Sequence, residues 1–167
     1  MFELRELTGH AKRNLEDIFN DLDVKIKKLK SNTEDQIKIE LYEIGKDLKK
    51  KALELIDEPK TGKIYTIEIG GQLIVHQASA PGEAPAILTG RLRRSINYKV
   101  IGSRMLEFAS YDVLYARDLE YRDLINQTGQ VLPRVEPRPF LSAAFKSESG
   151  KFPQRLKDAL VKASQLS

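Results

Sequence analysis

Between Leu4 and Leu55 an apolar residue recurs every three or four positions with one interruption, and few folds accommodate so long a stripe. Its first run is Leu4, Leu7, Ala11, Leu15, Ile18, Leu22, Ile26 and Leu29, on a segment otherwise rich in charge. A period near 3.6 places these side chains on one narrow helical face and leaves the rest to solvent. The stretch "SNTEDQ" interrupts the pattern. Thr33 with Gln36 has the spacing of a capping box, so a second helix is predicted to start there. Its stripe is Ile37, Leu41, Ile44, Leu48, Ala52 and Leu55, ending before Pro59. So narrow a seam suits packing against another helix, either within the chain as a helical hairpin or between chains as a coiled coil. Residues 1–57 therefore read as an N-terminal segment of two helices.

From Glu58 the texture changes, and residues 58–167 read as an α+β domain with those helices packed on it. "KIYTIEI" alternates, Gly70-Gly71 offers the positive φ of a tight turn, and "LIVH" returns, which predicts a β-hairpin. "QASAPGEAPAI" holds no regular element, because each proline removes a donor and biases its predecessor toward extended structure. It is expected to form an exposed arm or loop through Pro81, Gly82 and Pro85. Thr89 then caps a short helix with Leu92 and Ile96 on its buried side. "NYKVIG" and "MLEFAS" read as strands around Gly102-Ser103-Arg104, and "VLYARDLEY" as a strand or a short helix. Residues 122–137 form a long polar connection. "RPFLSAAF" and "FPQRLKDALVKAS" give a broken C-terminal helix, with Pro153 in a first turn and Leu156 paired with Leu160. The expected fold class is α+β: long N-terminal helices, an antiparallel sheet with a hairpin, a short central helix and a C-terminal helix.

Charge narrows the function. The chain carries 28 Lys/Arg against 24 Asp/Glu, net +4. Residues 1–57 hold 12 basic and 13 acidic residues, net −1, so the remaining 16 and 11 give residues 58–167 a net +5. That excess is too diluted by acids to identify a nucleic-acid binder by itself. Without cysteine there is no disulfide frame and no thiolate metal site. His10 and His76 lack metal-ligand spacing, and no phosphate-binding loop or nucleophile elbow is present. Asp118 and Glu120, two apart, would share a strand face, a routine surface pattern. An enzyme is not expected, nor a cofactor or metal. MFELRELTGH has no apolar targeting core and no stretch is long enough to cross a membrane, so synthesis in a cytoplasm is expected.

The segment "APGEAPAILTGRLRRSI" carries the sharper signal. With Thr89 as cap, Arg91 and Arg94 share the exposed face of a short helix. Arg91 falls in a first turn, where the helix dipole disfavours a cation by a few tenths of a kcal/mol, roughly. That position is easier to explain if an acid stands opposite: a carboxylate of a neighbouring subunit, one of the same chain, or a phosphate. A plain solvated face is the bland alternative. DNA contact would call for interleaved aromatics or a second basic helix, and neither lies nearby.

Three blocks, in order, resemble a known family. Thr89, Gly90, Leu92, Ser95 and Ile96, then Tyr115, Ala116, Glu120 and Tyr121, then Arg138, Pro139, Phe140 and Leu141 are similar to motifs of the tail-completion proteins of long-tailed bacteriophages. These are also called head–tail joining or minor-tail-protein-Z-like neck proteins. Arg122-Asp123 stands where the family has Gly-Thr. The resemblance implies a structural virion protein of the phage neck or tail top, assembled in the bacterial host cytoplasm. It would form a homo-oligomeric ring, commonly of six copies, that completes the tail for head–tail joining. Implied partners are other copies, the tail terminator and the head-completion or connector proteins, with double-stranded DNA passing transiently through the lumen and no membrane. The expected interface residues are Arg91, Arg93, Arg94, Tyr115, Glu120, Arg138 and Phe140, with Glu120 or the acidic N-terminal helices facing the arginines. The alternative is a small basic nucleic-acid-binding module.

Overall fold

One uninterrupted helix, α1 (Gly9–Asp57), dominates the computed structural model, which describes residues 9–121 and 136–166. At 1.5 Å per residue its 49 residues span about 74 Å. The expected break at Thr33 is absent, and with it the two-helix segment and the helical hairpin. "SNTEDQ" contains neither glycine nor proline. Its capping side chains compete for backbone groups chiefly where a helix end leaves those groups open, and here both flanking turns are helical. Asn32 instead donates from Nδ2 to the Leu166 carbonyl at 3.0 Å, tying this stretch to the C-terminal end of the chain.

The second half of the stripe lies inward as its period requires. Leu41, Ile44, Leu48 and Ala52 are buried, and Ile56 takes the last inward position, with Leu55 only half-buried. Helix α5 (Phe152–Gln165) packs along α1. Pro153 lies in its first turn, as expected. Its inward residues are Leu156, Ala159 and Ala163, while Leu160 is exposed. The guanidinium of Arg155 straddles α1, from Nε to Glu40 and from Nη1 to Asp47 at 2.7 Å, two turns of that helix apart.

The strands form two antiparallel pairs among the described residues. β1 (Ile64–Ile69) and β2 (Gln72–Gln77) make the expected hairpin, closed by Gly70 and Gly71 at φ 59° and 81°, a turn that L side chains rarely adopt. Ile64, Leu73 and Val75 on it are exposed. A short helix, α2 (Arg91–Ser95), leads into β3 (Ile96–Ile101), which pairs with β4 (Met105–Ser110). This second pair lies on α1, with Tyr42 and Tyr98 edge to face at 6.4 Å. The undecided segment "VLYARDLEY" contains a helix, α3 (Tyr115–Glu120). Helix α4 (Leu141–Glu148) and a 3-10 turn over Ser149–Lys151 precede α5, giving the broken C-terminal helix expected. The fold is α+β. Most of the polar connection expected over 122–137, including Arg122-Asp123, lies outside the described residues.

One core cluster joins α1, α3 and α4 with the start of β3 and the loops between them: Ala52 and Ile56 of α1, Ala84, Ile96, Val113, Ala116, Phe140 and Ala144. Four of its eight members are alanines, so elements approach closely and few large side chains fill the space between them.

Candidate functional site

The three motif blocks meet in space, and a buried carboxylate joins two of them. Glu120 closes α3 with its side chain turned inward, 8% exposed. Its Oε2 accepts from the backbone N–H groups of Phe140 at 3.1 Å and Leu141 at 3.2 Å, and its Oε1 from Ser142 at 2.6 Å. These are donors that the start of α4 would leave open, and no side chain at that start caps them. A carboxylate twenty residues upstream therefore acts as the missing N-cap, favoured further by the helix dipole.

The other contacts tighten the same junction. The Arg138 N–H donates to the Leu119 carbonyl at 2.7 Å. Its guanidinium donates to the Ser79 carbonyl at 3.2–3.3 Å and to the Glu136 carbonyl at 2.9 Å. In the first block, Ser95 Oγ donates to the Leu92 carbonyl and lies 2.6 Å from Ser110 Oγ, binding α2 to the end of β4.

Two members of the expected interface are thereby internal. Phe140 is fully buried, and Glu120 is committed to α4, so neither faces a neighbour or the arginines. The local sequence contains no sign of this, because their partners lie far away along the chain. The Pro-rich segment is also no free arm. Glu83 accepts from the Ala80 N–H at 2.8 Å and from the backbone and hydroxyl of Thr61, and the Gly82 N–H donates to the Pro137 carbonyl at 2.9 Å. Ala84 and Pro85 are buried, while Pro81 and Gly82 stay exposed.

The arginines divide by role. Arg93 forms a bidentate pair with Asp57 at the end of α1, both bonds at 2.9 Å, whereas the acid expected opposite Arg91 is not among the described residues. Among the described residues, the side chains of Arg91 and Arg94 donate only to neutral carbonyls, of Asp112 at 3.2 Å and Thr89 at 3.3 Å. Thr89 is not the N-cap. Gly90 holds that place in a left-handed conformation (φ 70°), and Thr89 Oγ1 accepts from the Arg91 N–H at 3.4 Å. Ile96 is buried as expected, but as the first residue of β3. Arg91, Arg93, Arg138, Tyr115, Pro85 and His76 line one open cleft of about 590 Å³. The cleft brings together five of the residues expected at an interface or arm; of its three arginines, Arg93 is paired with Asp57 and Arg138 is bonded to backbone carbonyls, which leaves Arg91 without a carboxylate among the described residues. Among the described residues, no group of three or more His, Asp or Glu side chains is placed to hold a metal.

Two carboxylates in this region titrate low. The hydrogen bond from Arg93 holds Asp57 below its ordinary 3.8, and bonds from Thr61, then from the Ala80 N–H, hold Glu83 below its ordinary 4.5. A carboxyl that is more acidic in the folded state adds stability above its unfolded pKa and loses it as pH falls through the folded value. The thermal midpoint should therefore fall between neutral pH and pH about 3, and less so in Glu83→Gln. An unchanged pH slope in that variant would show that Glu83 contributes nothing to it.

No family model, curated protein or solved structure matches the chain.

Proposed function

We propose that this chain is a structural subunit of a long-tailed phage neck, forming a ring that completes the tail and lets DNA pass through its lumen. The observation that carries this reading is the ordered set of three motif blocks, "LTGRLRRSI", "YARDLEY" and "RPFLSAAF", meeting in one junction. Blocks so far apart in sequence have a shared reason to be present if they build one common unit.

Two surfaces support an assembling subunit. The β1–β2 hairpin exposes Ile64, Leu73 and Val75, and a lone two-stranded hairpin is marginal in water. Burial against a neighbour would remedy both. Arg91 and Arg94 keep exposed charge beside the open cleft, since neutral carbonyls do not neutralise them. A ring needs head-to-tail contacts between two different surfaces that close by rotation, and a hairpin and a basic cleft are two such surfaces.

The test is to size the protein alone and with neck partners, and to image particles. A ring at the neck is expected; a protein that stays monomeric with those partners and is absent from particles would sink the reading. Reversing Arg91 and Arg94 to Glu is expected to lower particle assembly at least about tenfold with the fold intact, the equivalent of 1.4 kcal/mol or more at the contact. Normal assembly of that double variant would return both arginines to a solvated face.

A further inference from the structure

The first half of α1 projects alone. α5 accompanies α1 only as far as the Asn32–Leu166 contact, and every residue from Glu16 to Ser31 is exposed. This stretch is about 24 Å of single helix. Isolated helices of this length are marginal in water unless an amphipathic face is packed. It has such a face. Phe19, Leu22, Ile26 and Leu29 follow one another by three, four and three residues, and they are between 40% and 67% exposed. That spacing is the seam of a two-stranded coiled coil, with every seam position still wet.

Charge selects the occupant and its direction. Glu16, Asp17, Asp21 and Asp23 form an acidic block, followed by a basic block of Lys25, Lys27, Lys28 and Lys30. Further out in sequence the signs exchange, with Lys12-Arg13 before the acids and Glu34-Asp35 after the bases. A segment patterned in this way is complementary to itself reversed. Within the helix, Lys25 pairs with Asp21 and Lys27 with Asp23, each at 2.6 Å, where the blocks meet. Glu16, Asp17, Lys28 and Lys30 have no ion-pair partner among the described side chains.

We propose that this stretch docks on the same stretch of a second copy as an antiparallel two-stranded coiled coil, with its two-fold axis at Val24. Phe19 then layers on Leu29 of the other copy, and Leu22 on Ile26, so all four seam residues meet apolar partners. Along one flank, Glu16 lies beside Lys30 of the second copy at both ends, which offsets the like pairs that the axis brings together, Asp23 with Asp23 on this flank and Lys25 with Lys25 on the other. A parallel pair keeps the seam but sets Lys25 of one copy beside Lys30 of the other, like against like. The two-fold contact is closed and is separate from the head-to-tail contacts of a ring, so either can fail while the other stands.

Charge reversal on that flank tests it, with the full chain studied by analytical ultracentrifugation in the absence of neck partners. Glu16→Lys with Asp23→Lys makes the flank wholly basic, and Lys30→Glu makes it wholly acidic. The unaltered chain is expected to be dimeric, each variant alone at least about tenfold weaker, and their equal mixture dimeric again. Recovery on mixing also shows that both variants fold. Direction is read by disulfide capture, which is clean in a chain with no cysteine. Glu16→Cys mixed with Lys30→Cys should cross-link as the mixed pair, and neither should cross-link to itself. A monomeric unaltered chain, unchanged association in both variants, failure to re-pair on mixing, or self-linked Glu16→Cys would each overturn the proposal.

Discussion

Replacing Phe140, the bulkiest fully buried side chain among the described residues, with alanine is expected to cost about 4 kcal/mol of folding stability. Phe140 is fully buried, and it shares the core with Ala52, Ala84, Ala116 and Ala144. Alanines cannot change rotamer to occupy a vacated space, so the cavity left by the ring would persist. The loss then contains the full cavity cost as well as the lost transfer energy. For a chain of this size each kcal/mol moves the thermal midpoint by roughly 2–4 °C, so a fall of about 8–16 °C is expected. Phe140→Leu retains most of the volume and should cost less than about 1.5 kcal/mol. Thermal or urea unfolding reads both. A Phe140→Ala protein within about 1 kcal/mol of the unaltered chain would show that the site collapses, and that the ring is not what joins α1, α3 and α4. The variant also separates two readings of the third motif block. A core role predicts impaired folding before any assembly, whereas an interface role predicts a normal monomer.

How far the sequence led depended on the range over which each feature is determined. The helical character of α1, though not its continuity, and both hairpins follow from period and turn residues alone, since a stripe of three-and-four steps and a glycine-bearing turn act within a few residues. The false break at Thr33 came from reading a capping pattern without its context, because Ser, Asn and Thr favour a helix end only where the flanking chain leaves the helix. "VLYARDLEY" stayed undecided because six helical residues are under two turns, too few to separate the two periods. The junction was least legible. Glu83 reaches Thr61, Arg138 reaches Ser79, and Glu120 reaches Phe140, across 22, 59 and 20 positions of sequence. Nothing local marks Glu120 as buried or the Pro-rich segment as fastened. Long-range hydrogen bonds separate the motif residues that build the junction from those left at its surface. Arg91, Arg94 and Tyr115 remain available to a neighbour, while Phe140 and Glu120 do not.

Glu120→Ala is expected to destabilise the fold by about 3 kcal/mol, through loss of charge-assisted bonds at a helix start that has no other cap. One carboxylate satisfies the N–H groups of Phe140, Leu141 and Ser142, and the first of these is buried. Removing it leaves the buried Phe140 N–H without a partner, so the cost includes that donor's desolvation as well as the lost bonds. Glu120→Gln retains the shape and one acceptor oxygen, but it loses the charge and turns an NH₂ group toward other donors. It should cost about 1–2 kcal/mol, between the unaltered chain and alanine. Glu120→Asp is a further control, since its carboxylate is one methylene too short to reach all three donors. This order of stability, Glu above Gln above Ala, distinguishes an internal cap from an inter-subunit contact. If Glu120 instead pairs with a neighbour, the Gln variant would have normal monomer stability and defective assembly. If it caps α4, assembly should recover wherever the variant is folded, for example at reduced temperature. Retained stability in Glu120→Ala, together with failed assembly at that temperature, would sink the capping account and return this acid to the ring interface.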